Sequence, residues 1–176
     1  MAQTYHHKPL ASKRRIRVLD LLPARKRDAP VRCRIRQIRL KDARDQYEAL
    51  SYVWGAKEGS VPIDCEGRQL LVTPNCHDAL IELRSKSDIR PLWIDAICID
   101  QGGAIGSTEE RNHQVRLMGK IYQKASTVVV WLGLGAPRIT TARHIMSRML
   151  SLLSKYHWIQ HVDGRSNTRW EAMPLA

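Results

Sequence analysis

The stretch that decides the fold begins with PLWIDAICI at residues 91–99. This run is almost continuously apolar, which is typical of a strand covered on both faces, and such strands usually belong to parallel sheets. A second apolar run, TVVVWL at residues 127–132, is closed by Gly133. The pattern therefore predicts two buried strands of a parallel sheet.

A helix is predicted between these two strands, from Ser107 to about Lys124. Ser107 followed three residues later by Glu110 has the pattern of a capping box. The helix residues predicted to face inward are Val115, Met118, Tyr122 and Ala125. Strand, helix and strand within about 40 residues form a βαβ unit, which is nearly always right-handed. We therefore predict an α/β fold.

Two N-terminal strands are predicted before this unit. Residues 16–22 form a short apolar stretch stopped by Pro23, and from Val31 apolar residues alternate with arginines, as in a half-buried strand. The apolar phase shifts at Gln37, which suggests a bulge. The row of arginines suits an edge strand, because charge discourages pairing with other chains. These strands predict an additional N-terminal β-hairpin region.

The segment between residues 49 and 83 contains three further elements. Residues 49–54 resemble a buried strand, and residues 62–72 resemble a hairpin turning at Glu66 and Gly67. Thr73 is a predicted N-cap, with proline at the first helical position. The residues predicted to form one helical face are Cys76, Ala79, Leu80 and Leu83. A last helix is predicted over residues 140–155.

Composition and charge limit the function classes. The chain has 176 residues, of which 43% are hydrophobic and 26% charged, the ordinary mix of one folded domain. No apolar run approaches the roughly 20 residues that cross a bilayer. The net charge is +12, but residues 1–44 hold 14 Lys and Arg against three acids. This uneven distribution disfavours an evenly basic nucleic-acid-binding domain. Either a solvated strand face or a basic N-terminal face that binds nucleic acid or acidic membrane remains open.

The four cysteines give no sign of a metal site. They lie at positions 33, 65, 76 and 98, without a C-x-x-C pair, and no H-x-x-x-H pattern occurs. We therefore expect no metal. Buried thiols suit a reducing compartment, so the cytoplasm is the expected location, with the nucleus as the alternative.

Three blocks of sequence resemble a known family. Residues 47–55, YEALSYVWG, resemble the opening signature of the fungal heterokaryon incompatibility (HET) domain, and residues 92–101, LWIDAICIDQ, are similar to its second block. The residues matching the third block are Glu110, Arg111, Gln114, Val115, Met118, Gly119, Ile121, Tyr122, Ala125 and Val128 to Gly133. The resemblance covers roughly residues 8–135. Residues 1–14 show no periodicity and are predicted to be a flexible basic arm, followed by a HET domain over residues 15–155 and a C-terminal tail over 156–176.

The resemblance implies a role in fungal non-self recognition, in which incompatible alleles trigger programmed cell death. Its implied partners are other incompatibility proteins or a second copy of the chain. The family is thought to be a distant relative of the Toll/interleukin-1 receptor (TIR) fold, a flavodoxin-like parallel sheet flanked by helices. HET domains usually precede a long C-terminal region, so a chain of this length is expected to be a fragment, a truncated gene product or a stand-alone domain.

The TIR likeness suggests one enzymatic alternative, because many TIR domains cleave NAD. In such a reaction a carboxylate stabilises the oxocarbenium-like centre as nicotinamide leaves. Ligands of open α/β sheets lie beyond the carboxyl ends of the strands. The candidate catalytic residues are therefore Glu110 and Asp100, and the candidate ligand-binding residues are Ser51, Trp54, Gln101 and Arg111. NAD would be a substrate, and no cofactor is otherwise implied.

Structural roles compete with each of these assignments. Glu110 also fits the capping box, Asp100 a turn, and Trp54 the core. Asp95, in the interior of the predicted strand, is expected about 16 Å from Asp100 and on the opposite face. No acid occurs between Glu110 and Asp163, where the TIR enzymes have their catalytic glutamate. This departure slightly favours an interaction module, whereas the cluster of polar residues at the strand ends favours an enzyme, so both mechanisms stay open.

Overall fold

The computed structural model describes residues 3–55, 58–101, 107–133, 156–162 and 168–174. The strands of the main sheet are β1 (Arg15–Leu21), β2 (Arg32–Arg39), β3 (Glu48–Tyr52), β4 (Val61–Cys65), β5 (Arg68–Val72), β6 (Arg90–Ile94) and β7 (Thr127–Trp131). The helices are α1 (Pro74–Leu83), α2 (Asp95–Cys98) and α3 (Ser107–Lys124), with a 3₁₀ turn at Leu40–Asp42. A second, two-stranded sheet consists of β8 (Tyr156–Val162) and β9 (Thr168–Pro174).

The main sheet has seven strands in the order β5-β4-β2-β1-β6-β3-β7. Strand β3 pairs in parallel with β6 on one side and β7 on the other. Strand β1 pairs antiparallel with both β2 and β6. The α/β class is thus confirmed, but the sheet is mixed, and only part of it has the parallel arrangement that was expected.

Helices α1 and α3 pack on opposite faces of this sheet. Tyr52 lies beside Trp131, whose Nε1 donates to Asn75 Oδ1 of α1 at 2.8 Å. Trp93 lies beside Ala49, three residues before Tyr52, and side chains alternate between faces along a strand. Trp93 therefore belongs to the other face, where its ring meets Tyr122 of α3 edge-on with centroids 5.4 Å apart.

The N-terminal hairpin is an integral part of the sheet. Its β1–β2 register runs without interruption from Arg15 opposite Arg39 to Leu21 opposite Cys33. The predicted bulge at Gln37 is therefore wrong. The apolar phase shifts because the core-facing side chains of β2 lie on different faces of the sheet. Cys33 packs into the core on one face, and Ile38 packs into it on the other.

The edge position predicted for the arginine-rich strand is also wrong. Strand β2 lies inside the sheet order because its first residues, Arg32 and Cys33, pair in parallel with Asp64 and Cys65 of β4. This pairing joins segments about 30 residues apart, so it cannot be predicted from a local sequence pattern.

Local signals in residues 61–83 are confirmed. Glu66 and Gly67 connect β4 and β5 with φ angles of +56° and +78°, as a tight hairpin turn requires. The Thr73 side chain accepts a hydrogen bond from the backbone N–H of Cys76 at the start of α1. The predicted inward face of this helix is buried at all four positions, Cys76, Ala79, Leu80 and Leu83.

The apolar run at 91–99 is a strand for only half of its length. Strand β6 ends at Ile94, and Asp95–Cys98 form the single turn α2. The expectation of Asp95 in a strand interior is therefore wrong, and so is the spacing argument that relied on it. The run stays buried in its helical part, at Ile97, Cys98 and Ile99, which explains why its composition did not reveal the change.

Helix α3 spans the predicted residues but is rotated slightly from the predicted orientation. Gln114 and Ile121 are buried, whereas Val115 is 51% exposed, contrary to the inward position expected for it. Met118 and Tyr122 pack against the core as predicted.

The first described residues lie along the sheet. Tyr5 is buried, and its N–H donates to the Gln69 carbonyl of β5 at 2.8 Å. The Gln37 side chain of β2 donates to the Pro9 carbonyl at 2.8 Å. The helix predicted over 140–155 lies outside the described residues, and the following β8–β9 hairpin approaches β7 through β9.

Candidate functional site

The candidate site lies where the parallel strands β3, β6 and β7 end. The connection that follows β3 returns through α1 on one face, whereas the connection that follows β6 continues into α3 on the other face. Neighbouring strands whose connections diverge in this way leave a crevice beyond their carboxyl ends, and open α/β sheets bind ligands there. The residues immediately after β3 and β6 therefore line the expected ligand position.

Asp95 and Trp54 contact each other at this edge of the sheet. The Trp54 Nε1–H donates to Asp95 Oδ1 at 3.2 Å, and the Ala96 N–H donates to the same oxygen at 2.7 Å. The side-chain amide of Gln101 donates to the Asp95 carbonyl at 3.4 Å. Trp54 and Asp95 are both half-buried, and Gln101 is exposed. We call Trp54, Asp95, Ala96 and Gln101 the Asp95 cluster.

The Asp95 carboxylate is half-buried and accepts hydrogen bonds from nearby N–H groups. Burial raises the pKa of this carboxyl, and the N–H donors of Ala96 and Trp54 offset part of that rise. The backbone N–H of Asp95 also donates to the carboxylate and acts on the pKa in the same direction as these two donors.

Further polar side chains surround the same edge. The Tyr122 hydroxyl donates to the Leu50 carbonyl at 3.2 Å, next to the half-buried Ser51. The Asn75 side chain donates to the carbonyl of Val53, just before Trp54, at 2.5 Å. Helices α1 and α3 thus fix the end of β3 from both faces of the sheet.

A second group, the Arg17 cluster, surrounds one buried guanidinium. Arg17 in β1 is 1% exposed, and its Nη1 and Nη2 donate to Glu110 Oε1 and Oε2 at 2.5 and 3.1 Å. Nη1 also donates to the Cys98 carbonyl at 3.3 Å, and Nη2 to the Lys8 carbonyl at 2.9 Å. Arg17 therefore joins the N-terminal segment, α2 and the start of α3 to the sheet.

His7 completes the Arg17 cluster as a neutral side chain. Burial and the nearby Arg17 charge lower its pKa to about 4, while Asp100 and Glu110 act in the opposite direction. Its Nδ1 is buried without a hydrogen-bond partner among the described residues. Because it is neutral at pH 7, His7 adds no positive charge beside Arg17.

The structure divides the predicted site residues between the two clusters. Trp54 and Gln101 contact Asp95, and Ser51 lies nearby on β3. Glu110 belongs to the Arg17 cluster, and the charge of the half-buried Asp100 acts on the pKa of His7 there. Arg111 is exposed on α3.

Two residues of this edge were missed or misjudged from the sequence. Asp95 was placed inside a strand, because nothing in the apolar run marks the end of β6 at Ile94. Arg17 was overlooked, although one basic residue within the apolar stretch 16–22 is a signal of a buried charge that needs a partner. That partner is 93 residues away.

The basic N-terminal quarter is only partly neutralised. Arg36 donates to both oxygens of Asp20 at 3.0 and 3.1 Å, whereas Arg32 and Arg34 are exposed on the same face of β2. Among the described residues, no group of three or more His, Cys, Asp or Glu side chains is arranged to hold a metal ion. The described helices are too short or too polar to cross a membrane.

Comparison with known proteins gives a family and one informative relative. A family model described as "Heterokaryon incompatibility protein (HET)" matches residues 47–173. "Heterokaryon incompatibility protein 6, OR allele" from Neurospora crassa is 35% identical over 147 residues, which cover 76% of this chain. The alignment spans only 20% of that relative, about a fifth of its length. No solved structure matches the chain significantly.

Proposed function

The chain belongs to the heterokaryon incompatibility (HET) family, and we propose that it acts in fungal non-self recognition as an effector that triggers programmed cell death. In this proposal the domain signals by assembling with other incompatibility proteins or with itself, and NAD cleavage is the alternative. The architecture is assigned to the TIR-like group as part of the same proposal, supported by the parallel strands β3, β6 and β7.

The geometry of Glu110 favours an interaction module over an enzyme. Both oxygens of this carboxylate accept from the buried Arg17. A carboxylate that stabilises an oxocarbenium-like centre must instead face the bound substrate. Glu110 serves the fold in this arrangement, as the anchor that fixes the start of α3.

One observation favours the enzymatic alternative. Asp95 directly follows the carboxyl end of β6 and lies half-buried beside Trp54, at the edge where open α/β sheets bind ligands. A carboxylate in that position suits stabilisation of an oxocarbenium-like centre. If the domain cleaves NAD, Asp95 is therefore a stronger candidate than Glu110, and Asp100 stays a candidate beside it.

The proposed setting is a reducing compartment, the cytoplasm or the nucleus. All four cysteines are buried and free, including Cys33 and Cys65, which are neighbours across β2 and β4. Buried thiols suit a reducing compartment. This arrangement supports an intracellular effector.

The experiment that tests the proposal is inducible expression of the chain in a filamentous fungus, with cell viability and cellular NAD measured together. An interaction module predicts death without an early fall in NAD, and light scattering of the purified chain should detect assembly. An early fall in NAD that Asp95→Asn abolishes would establish the enzymatic alternative.

A matched variant controls for general effects of charge. Glu109 is an exposed carboxylate next to Glu110, paired only with the exposed Lys13 in the described structure. Glu109→Gln should kill as efficiently as the wild type. Survival of cells that accumulate the folded wild-type chain would contradict the effector role.

A further inference from the structure

We propose that residues 3–9 exchange between two copies of the chain, so that this segment of one copy pairs with β5 of the other. We call residues 3–9 the edge segment. The proposal rests on the self-association in the proposed function and names the contact that forms it. Each copy then completes the sheet of its partner.

The first support is that the edge segment covers the outer side of an edge strand. Strand β5 is the last strand of the main sheet, and Thr4 pairs with Gln69 in parallel beside it. The Tyr5 N–H donates to the Gln69 carbonyl, and the Gln69 N–H donates to the Gln3 carbonyl, each at 2.8 Å. An edge strand without such a neighbour is a template for pairing with another chain. The same backbone groups of β5 can therefore bind a strand from a second copy.

The second support is that the site fits this particular segment. The Tyr5 side chain is buried. Arg17 Nη2 donates to the Lys8 carbonyl at 2.9 Å. Gln37 Nε2 donates to the Pro9 carbonyl at 2.8 Å. A second copy carries the same segment and can form all of these contacts, so exchange requires no new interface. The occupant that matches the site is therefore a second copy of this chain.

The third support is the small buried area that holds the segment to its own chain. Within residues 3–9, the Tyr5 side chain is buried and that of His7 is half-buried. The exposed members of the segment are Gln3, Thr4, His6, Lys8 and Pro9. Segments with few buried apolar contacts open locally at a low cost in free energy. The edge segment can therefore leave β5 without unfolding of the sheet.

A turn between the edge segment and β1 supplies the hinge. The Arg15 N–H donates to the Ser12 carbonyl at 3.0 Å, which closes the turn where β1 begins. Lys13 in this turn contacts Glu109 and His113 of α3 at 3.0 and 2.7 Å, and both contacts are exposed. Exposed ion pairs and hydrogen bonds contribute little to stability. Short hinges of this kind favour exchange of the segment that they connect, because opening the turn extends the chain away from its own sheet.

The test uses two variants with one added cysteine each, Thr4→Cys and Gln69→Cys. Thr4 is exposed and Gln69 half-buried, whereas the four native cysteines are buried. The two variants, one with a mass tag, are incubated together at about 1 mM, comparable to the effective concentration of a tethered segment. Diamide then oxidises the thiols. We expect a disulfide-linked heterodimer on a non-reducing gel, because paired strand residues lie within disulfide range.

Leu71→Cys provides the matched control. Leu71 is 52% exposed and lies on the same face of β5 as Gln69, two residues further along the strand. This offset places it beyond disulfide range of Thr4 in the same register, so the mixture with Thr4→Cys should give about tenfold less heterodimer. The proposal is overturned if the Gln69→Cys mixture gives no more heterodimer than this control.

A chain that carries both Thr4→Cys and Gln69→Cys separates exchange from assembly in general. Oxidation of the dilute protein locks the edge segment on its own sheet. Light scattering of concentrated samples should then show assembly of the reduced chain and a monomer for the locked chain. A locked chain that still assembles overturns exchange, yet it leaves self-association and the effector role standing.

Discussion

Arg17 in β1 and Glu110 in α3 form a bidentate ion pair, with N–O distances of 2.5 and 3.1 Å. The guanidinium is almost completely buried, and the carboxylate side chain is 18% exposed. Removing one charge from such a pair leaves the other buried without compensation. This relationship determines what neutralising Glu110 should do.

Glu110→Gln should lower the free energy of unfolding by about 3 kcal/mol, because Arg17 stays buried and charged. Urea denaturation of the purified chain measures this change. Glu109→Gln, one residue away and exposed, should have no measurable effect. A Glu110→Gln protein as stable as the wild type would show that the ion pair does not hold the helix to the sheet.

Acid should weaken the fold through His7. Its pKa is about 4 in the folded chain against an ordinary 6.5, so the unfolded chain binds the proton more readily between these values. Stability therefore falls as the pH decreases from 6.5 to about 4, by no more than about 3 kcal/mol. Thermal unfolding across this range should give a flatter profile for His7→Phe. Parallel profiles for the two proteins would contradict the assignment.

Asp95 should be replaceable by asparagine but not by alanine. Burial raises the pKa of this carboxyl, so its stability contribution decreases as the pH rises from its ordinary value of 3.8 through the folded value. Asp95→Asn removes that cost and keeps an acceptor for Trp54. Asp95→Ala leaves two N–H donors without an acceptor and should be about 1–2 kcal/mol less stable than Asp95→Asn. Equal stability of the two variants at pH 7, measured by urea denaturation, would be the contrary result.

Two glycines should respond to alanine in opposite directions. A Cβ at Gly119 in α3 meets no atom within 4 Å, so Gly119→Ala should stabilise the chain by about 0.5–1 kcal/mol. A Cβ at Gly59 falls 2.6 Å from the carbonyl carbon and oxygen of Leu71, so Gly59→Ala should destabilise it by at least about 1–3 kcal/mol. The melting temperature should therefore rise for Gly119→Ala and fall for Gly59→Ala. A shift in the same direction for both would contradict the local packing.

Short-range chemistry explains which elements were predictable. The turn at Glu66 and Gly67, the Thr73 cap and the inward face of α1 depend on residues a few positions apart. The end of β6 was not predictable, because an apolar run suits a buried strand and a buried helical turn equally well. Because β6 ends at Ile94, Asp95 lies beyond the end of the strand and not in its interior.

Long-range pairing explains the remaining differences. Strand β2 looks like an edge by its charge, but its place follows from β4, about 30 residues later. The role of Arg17 depends on Glu110, which follows a further β-hairpin and helix in the chain. Ser51, Trp54 and Gln101 were identified as candidates, whereas Asp95, whose carboxylate accepts a hydrogen bond from Trp54, was not among them.

Because β1 lies in the middle of the sheet, a recombinant form of the domain must include it. The family match begins at residue 47, whereas β1, at residues 15–21, lies between β2 and β6 in the middle of the sheet. A recombinant fragment trimmed to the matched region would lose this strand and expose the backbone edge of β6. An unpaired apolar edge is a template for aggregation. Insolubility of such a fragment would therefore reflect a missing central strand rather than an intrinsically unstable family of domains.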